Sequence, residues 1–348
     1  MHMADALLSP AVGATFWAGT IAVSGYASKK LKEQIDDKLI PLMGVLGAFI
    51  FAAQMINFTI PGTGSSGHLG GGMILAIILG PYAAFLVMAS VLTVQALFFA
   101  DGGLLALGCN IWNLGFYPCF LVYPLIYKPL VGGGKNPGRI LVVSLLSAVV
   151  ALQLGAFSVV IATLLSGKSE LPFGAFVLLM QPIHLAIGIV EGFVTAGVIN
   201  YVRSTRSEIL ESSAATISLG PAVSLKKVLI TFAVLAAITG GALSWFASTH
   251  PDGLEWSIER VTGKDELPGQ EQGIAPLLKG IQEKTAFLPD YGFKQAGKAS
   301  KKGEPPPAWP GIEGGTSASG IIGAVIVLGM IVLIGMGIRA VRRRQNEQ

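Results

Sequence analysis

The first thirty residues read "MHMADALLSPAVGATFWAGTIAVSGYASKK" (1–30), and the position of the charges in this stretch decides the fold. A secretory signal carries basic residues before its apolar run, whereas here Lys29 and Lys30 come after it. The segment is therefore expected to stay in the chain as a first membrane helix, with its N-terminus outside and its basic end inside. The whole sequence agrees: 52 % of its 348 residues are hydrophobic and only 13 % charged, against roughly a quarter charged in an ordinary soluble domain. An all-α polytopic membrane protein follows.

Apolar runs of about 17–25 residues are candidate spans. Nine runs are placed near 8–28, 39–58, 69–80, 82–100, 104–127, 139–165, 174–202, 227–248 and 320–338. The third is too short to cross alone and ends in the turn-like "LGPY" (79–82), which suits a tilted or discontinuous helix. Starting from an outer N-terminus, the cytoplasmic segments include "SKKLKEQIDDKL" (28–39), "YKPLVGGGKNPGR" (127–139), "RSTRSEILESSAATISLGPAVSLKK" (203–227) and "RAVRRRQNEQ" (339–348). These four are rich in Lys and Arg, as short inner loops are, while the short outer segments 56–72, 100–103 and 166–173 hold one Lys between them. The net charge of +4 thus reports topology and does not imply a nucleic-acid partner. Seven spans with short loops occupy 1–205, a polar linker 206–226, and two further spans within 227–348 flank an extracytoplasmic segment at 249–319. The Gly/Pro/Lys-rich stretch 297–316, with "EPPPAWPG", reads as a flexible connector. Cys109 and Cys119 share one apolar run and read as core thiols.

Only four histidines occur, and two of them fall on the same outer face: His2, and His68 in "GTGSSGHLGGG" (62–72). Met1 is expected to stay as the terminal residue, because removal of an initiator methionine requires a small second residue. The α-amine of Met1, the amide nitrogen of His2 and the His2 imidazole can then close fused five- and six-membered chelate rings around one ion, and His68 can supply a fourth nitrogen. An all-nitrogen square plane suits Ni(II) or Cu(II), not tetrahedral Zn(II) or oxygen-seeking Mg(II), and deprotonating an amide favours the same two ions over Co(II). The other reading is open at this point: a histidine behind the first methionine is an accident of a frayed, exposed tail.

"MHMADALLSP", "SSGHLGGG", "CNIWNLGFYP" and "HLAIGIVEGFVTAGV" together resemble the CbiM/NikM family, the substrate-binding membrane components of energy-coupling-factor importers for cobalt and nickel, over residues 1–205. The downstream "HPDGLEWSIERV" (250–261) resembles the "PDGLE" segment of the small accessory subunit, CbiN or NikN, here fused to the same chain. The resemblance implies a seven-helix substrate-binding bundle with two accessory helices. It implies that Met1, His2 and His68 hold the ion, and that Ni(II), with Co(II) next, is the transported substrate. It also implies a bacterial or archaeal plasma membrane, with a membrane coupling subunit and ABC ATPase subunits as partners. Residue 3 departs from the "MHI" of many members, but it supplies none of the nitrogens, so Met3 is expected to matter little.

Four further polar residues stand out within apolar runs. Asn110 and Asn113, three apart on one face of the fifth span, can either orient the N-terminal loop or the ligand imidazoles, or serve as ordinary interhelical glue. Glu191 and His184, two turns apart on one face of the seventh span, read as a proton relay or as a polar packing pin beside "GIVEG" (188–192). Gln54, Gln95 and Gln153 read as interhelical glue, and His250 as an interfacial residue outside the ion site. No "GxxxxGK[ST]" occurs, so ATP must be hydrolysed by a partner if transport is active. No nucleophile–base pair or catalytic zinc motif stands out, which disfavours an enzyme. A membrane metal sensor that binds without transporting is the alternative function.

Overall fold

Every apolar run of the sequence becomes helical in the computed structural model of the chain, which describes residues 2–168, 170–220, 223–264, 267–269, 273–293 and 309–346. Helix α1 (Pro10–Gln34) starts where the Ser9 side chain accepts the Val12 N–H at 3.4 Å and Pro10 supplies a pre-set first turn. Helix α2 (Leu39–Gln54) leads into a small hairpin, β1 (Phe58–Ile60) antiparallel to β2 (Ser65–Gly67), with Thr59 opposite Ser66. Helix α3 (Gly72–Leu79) follows, then α4 (Pro81–Phe99). Helix α5 (Leu107–Ile111) runs on as a π-helical segment (Trp112–Tyr127) and a last α-turn, α6 (Lys128–Val131). Pro118 and Pro124 lie inside that π segment, where their missing N–H groups make the ordinary i→i−4 ladder impossible. Then come α7 (Pro137–Leu165) and α8 (Phe173–Ala215), the latter broken at Arg206 (φ −154°, ψ 82°).

Helix α9 (Lys226–Gly241) begins the accessory part. It continues with α10 (Gly253–Thr262), α11 (Ala275–Thr285) and α12 (Gly314–Asn346). The proposed connector at 297–316 lies mostly outside the described residues.

Among the described residues, five helical stretches are long and apolar enough to cross a bilayer alone: Pro81–Phe99, Leu107–Gly134, Pro137–Leu165, Phe173–Ala215 and Gly314–Gln345. Helices α2 and α9 have 16 residues each, and α3 has only 8, a length of about 12 Å. The shortness of α3 has a clear cause. Gly80 (φ 79°) ends it and Pro81 begins α4, so one apolar run is split into a half-helix and a full one. All eight residues of α3 are buried, which lets a non-spanning piece sit inside the bundle without exposing its ends to lipid.

Helix α7 packs along α8, and α12 packs along α2, α4 and α9. Gly188 and Gly192 permit the α7–α8 contact, since a Cβ there would come within 2.8 Å of the Val149 Cα and 2.5 Å of the Leu145 Cα. Cys109 and Cys119 are buried free thiols, as the sequence suggested.

Candidate metal centre

The N-terminal segment is not a frayed tail. Met3 is completely buried; its N–H donates to the Asn110 Oδ1 at 2.8 Å, and its carbonyl accepts from the Gly103 N–H at 2.9 Å and the Asn110 Nδ2 at 3.3 Å. Asp5 continues the attachment, accepting the Ala106 N–H at 2.9 Å. Asn113 lies beside the same residue, with its Nδ2 3.9 Å from the Met3 sulfur. Both asparagines thus face the N-terminal segment through Met3, whose buried side chain is a packing group.

His68 is held from the opposite side. Its loop leaves β2 and turns into α3, where the buried Glu191 carboxylate accepts the N–H of Gly70 at 2.6 Å and of Gly71 at 3.1 Å. Gln54 donates to the Gly70 carbonyl at 2.8 Å, and Gln95 donates to the Gln54 Oε1 at 3.0 Å. Glu191 is therefore bonded to the histidine-bearing loop. His184 instead turns its Nδ1 to the Met180 carbonyl at 2.7 Å, within its own helix.

These two attachments bring His2 and His68 together. Their rings stack with centroids 4.9 Å apart and planes 11° from parallel. The His2 Nδ1 lies 3.2 Å from Asp101 Oδ1, and the His68 Nδ1 lies 3.0 Å from the Leu69 carbonyl. Both Nε2 atoms are buried and have no hydrogen-bond partner among the described residues. Burial pushes both imidazoles down to about 3, so at neutral pH the rings are uncharged, the form that binds a metal ion. Burial also raises the Asp101 carboxyl. Met1, the third expected ligand residue, lies outside the described residues.

The accessory part reaches this centre, and the sequence did not show it. The chain before α10 adds to the edge of the hairpin: the Ser66 N–H donates to the Pro251 carbonyl at 2.8 Å, and its hydroxyl donates to the His250 carbonyl at 2.8 Å. His250 thus contributes its backbone while its side chain is exposed. Asp252 then caps α10, accepting from Leu254 N and Glu255 N at 2.8 Å each. A cavity of about 840 Å³ beside this cap is lined by His2, His68, Asp101, Asp252, Glu255 and Tyr291, among others. Carboxylates lining a cleft raise the local concentration of cations. Asp101 carried one signal in the sequence, an acid at the end of an apolar run. Tyr291 carried none.

The chain matches a family model described as the cobalt uptake substrate-specific transmembrane region, CbiM, over residues 2–209, and a PDGLE domain over residues 226–340. It is 32 % identical to a fused nickel transport protein NikMN of Archaeoglobus fulgidus, covering 95 % of this chain and 96 % of that one. It is 28 % identical to a cobalt transport protein CbiM of Sorangium cellulosum, covering 61 % of this chain and 95 % of that one. A crystal structure of a truncated transition metal transporter superimposes with a TM-score of 0.53 at 31 % identity, over 59 % of this chain and 99 % of that one. Its relatives are transport proteins, and with several apolar helices it is a multi-pass membrane protein. The chain belongs to the CbiM family of nickel and cobalt transport components, here carrying a PDGLE domain in the same polypeptide.

Proposed function

We propose that this chain is the substrate-binding component of an ATP-driven energy-coupling-factor importer for Ni(II), with Co(II) next, and that it takes the ion at the outer face through Met1, His2 and His68. The observation that carries this reading is the pair of stacked, buried, uncharged imidazoles of His2 and His68, which sets side by side the two histidines that the four-nitrogen plane requires. The Met1 amine and the His2 amide complete a planar set of four nitrogens, the geometry of Ni(II). Residues 1–205 form the ion-binding domain, 206–226 a cytoplasmic linker and 227–348 the accessory module. The N-terminus and 249–319 lie outside, and the C-terminus lies in the cytoplasm. A membrane coupling subunit and ABC ATPase subunits supply the energy, because the chain has no P-loop of its own.

The test is radiometal uptake in cells expressing the chain with and without an ATPase module, comparing nickel with cobalt. Uptake that needs the module supports the importer. Tight binding without uptake in either case overturns it in favour of a metal sensor.

A further inference from the structure

The chain turns between α6 and α7 on "VGGGKN" (131–136), where Gly132 (φ 61°), Gly133 (φ 76°) and Gly134 (φ 66°) all hold left-handed backbone. The turn carries Lys135 against α8, and the Arg203 guanidinium donates to the Lys135 carbonyl through Nη1. A cavity of about 810 Å³ lies beside this contact, a size typical of small-molecule sites. Its lining has two parts. One is apolar and buried: Ile77, Tyr123, Tyr127, Ile140 and Ile199, each no more than 5 % exposed. The other is charged: Lys128, Lys135, Arg203 and Glu211.

Three cations against one carboxylate leave the charged part positive, and among the described residues none of the three forms an ion pair. A fourth cation, Arg139, is committed to its own turn, its Nε donating to the Leu130 carbonyl at 2.6 Å. Arg203 is only partly used. Its Nε is buried and has no hydrogen-bond partner among the described residues. A buried donor left unpaired is costly, and the acceptor that a guanidinium fork fits best is an oxyanion such as phosphate.

The level of this cavity in the bundle narrows the choice of anion. His184 lines a small cavity together with His68 at the ion-site end, and Arg203 lies about 28 Å further along α8. That is close to the thickness of a hydrocarbon core, so the three cations stand at the headgroup level of the opposite leaflet. A free anion uses only the charged half of the lining. A phospholipid uses both halves, with its phosphate among the cations and the first part of its chains on the apolar side chains, and basic pockets between helices take anionic headgroups in this way.

We infer that this cavity binds one anionic phospholipid, with the phosphate held by Arg203, Lys128 and Lys135 and the chains laid against Tyr127 and Ile199. Only the choice of leaflet rests on the orientation proposed above, which makes it the cytoplasmic one. The chemistry of the site depends neither on that orientation nor on the metal ion.

The test is native mass spectrometry of the purified, metal-free full chain in detergent micelles, titrated with phosphatidylglycerol or phosphatidylcholine. Phosphatidylglycerol is expected to bind about tenfold more tightly or better. Arg203→Gln should weaken it by about tenfold, the effect of losing a charge-assisted hydrogen bond, and Lys128→Gln and Lys135→Gln by about fivefold each. The two lysines are exposed, so they carry the test even if Arg203→Gln fails to fold. Arg343→Gln with Arg344→Gln removes two exposed charges from the C-terminal tail and should leave binding as in the parent. Equal affinity for the two lipids overturns the inference, as does an equal loss in the tail variant, the mark of unspecific attraction. Inorganic phosphate that displaces the lipid at equal concentration would make this a free-anion site. Lysine variants that keep their lipid affinity but no longer co-purify with a membrane coupling subunit would make it a protein surface. Either result overturns the lipid site and leaves the ion site of His2 and His68 untouched.

Discussion

The Glu191 carboxylate accepts the Gly70 N–H at 2.6 Å, so a buried acid in the middle of α8 holds the loop two residues beyond His68. With Gly71 bound as well, at 3.1 Å, both oxygens are used on backbone donors. Glu191→Gln keeps the shape but presents an amide N–H to one of those donors. It is expected to lower stability by about 1–3 kcal/mol, the usual cost of a buried polar group left unpaired. It should also weaken Ni(II) binding by about 10-fold through displacement of His68. Thermal unfolding and calorimetry on the same preparation check both, and unchanged values would return Glu191 to a plain packing role.

Gly253 is the point where the accessory module meets α8. A Cβ there would lie 2.5 Å from Ile183 Cγ2 and 3.3 Å from His184 Cε1. Gly253→Ala is therefore expected to lift the start of α10 away from α8, at a cost of about 1–3 kcal/mol for overpacking. Hydrogen exchange at Ser66, whose N–H is bonded to the Pro251 carbonyl, should speed up in step. Gly280→Ala, within α11 and with open space around it, serves as the opposite case and should stabilise by about 0.5–1 kcal/mol.

The histidine pair makes stability depend on pH. Burial holds His2 and His68 at about 3, against an ordinary value of 6.5. An unfolded chain therefore binds protons on these rings at a higher pH than the folded one does. Above pH 6.5 both states carry neutral rings and nothing is lost; as pH falls from 6.5 towards 3, the unfolded state is favoured progressively. Thermal unfolding of the metal-free protein across pH 7 to 4 should show this slope. The double variant His2→Gln, His68→Gln should make the slope less steep.

The terminal chelate predicts that position matters as much as residue type. One residue added before Met1 moves the amine and turns the Met1 nitrogen into an amide, so the five-membered ring cannot form. The extended chain should lose Ni(II) affinity as severely as His2→Ala or His68→Ala, and its square-planar d–d band should vanish. Met3→Ala acts differently. Met3 is fully buried, so its truncation should cost about 2–5 kcal/mol of stability, and any loss of Ni(II) binding should follow from that loosening. Tight, spectrally unchanged binding by the extended chain would leave only a conventional side-chain site.

Composition and the placement of lysines after the first apolar run were enough to read an all-helical membrane chain, because lipid admits few backbone solutions and apolar runs must become helices. The spacing of glycine and proline at 80–81 likewise exposed the short α3 before any contact was known. His2 and His68 could be paired from scarcity and sidedness alone. Other features were not legible. Glu191 stood seven residues from His184 on one helix face, yet it bonds to Gly70 and Gly71, because a carboxylate in an apolar interior goes to whatever donors the fold brings within reach. Asp101 and Tyr291 are 190 residues apart, and no local periodicity links them. Sequence pattern reports which face of an element avoids water, a property of neighbours three, four or seven residues apart. Which loop then lies against which is decided by the packing of whole helices, and only the tertiary structure sets the carboxylate of Asp101 between His2 and Tyr291.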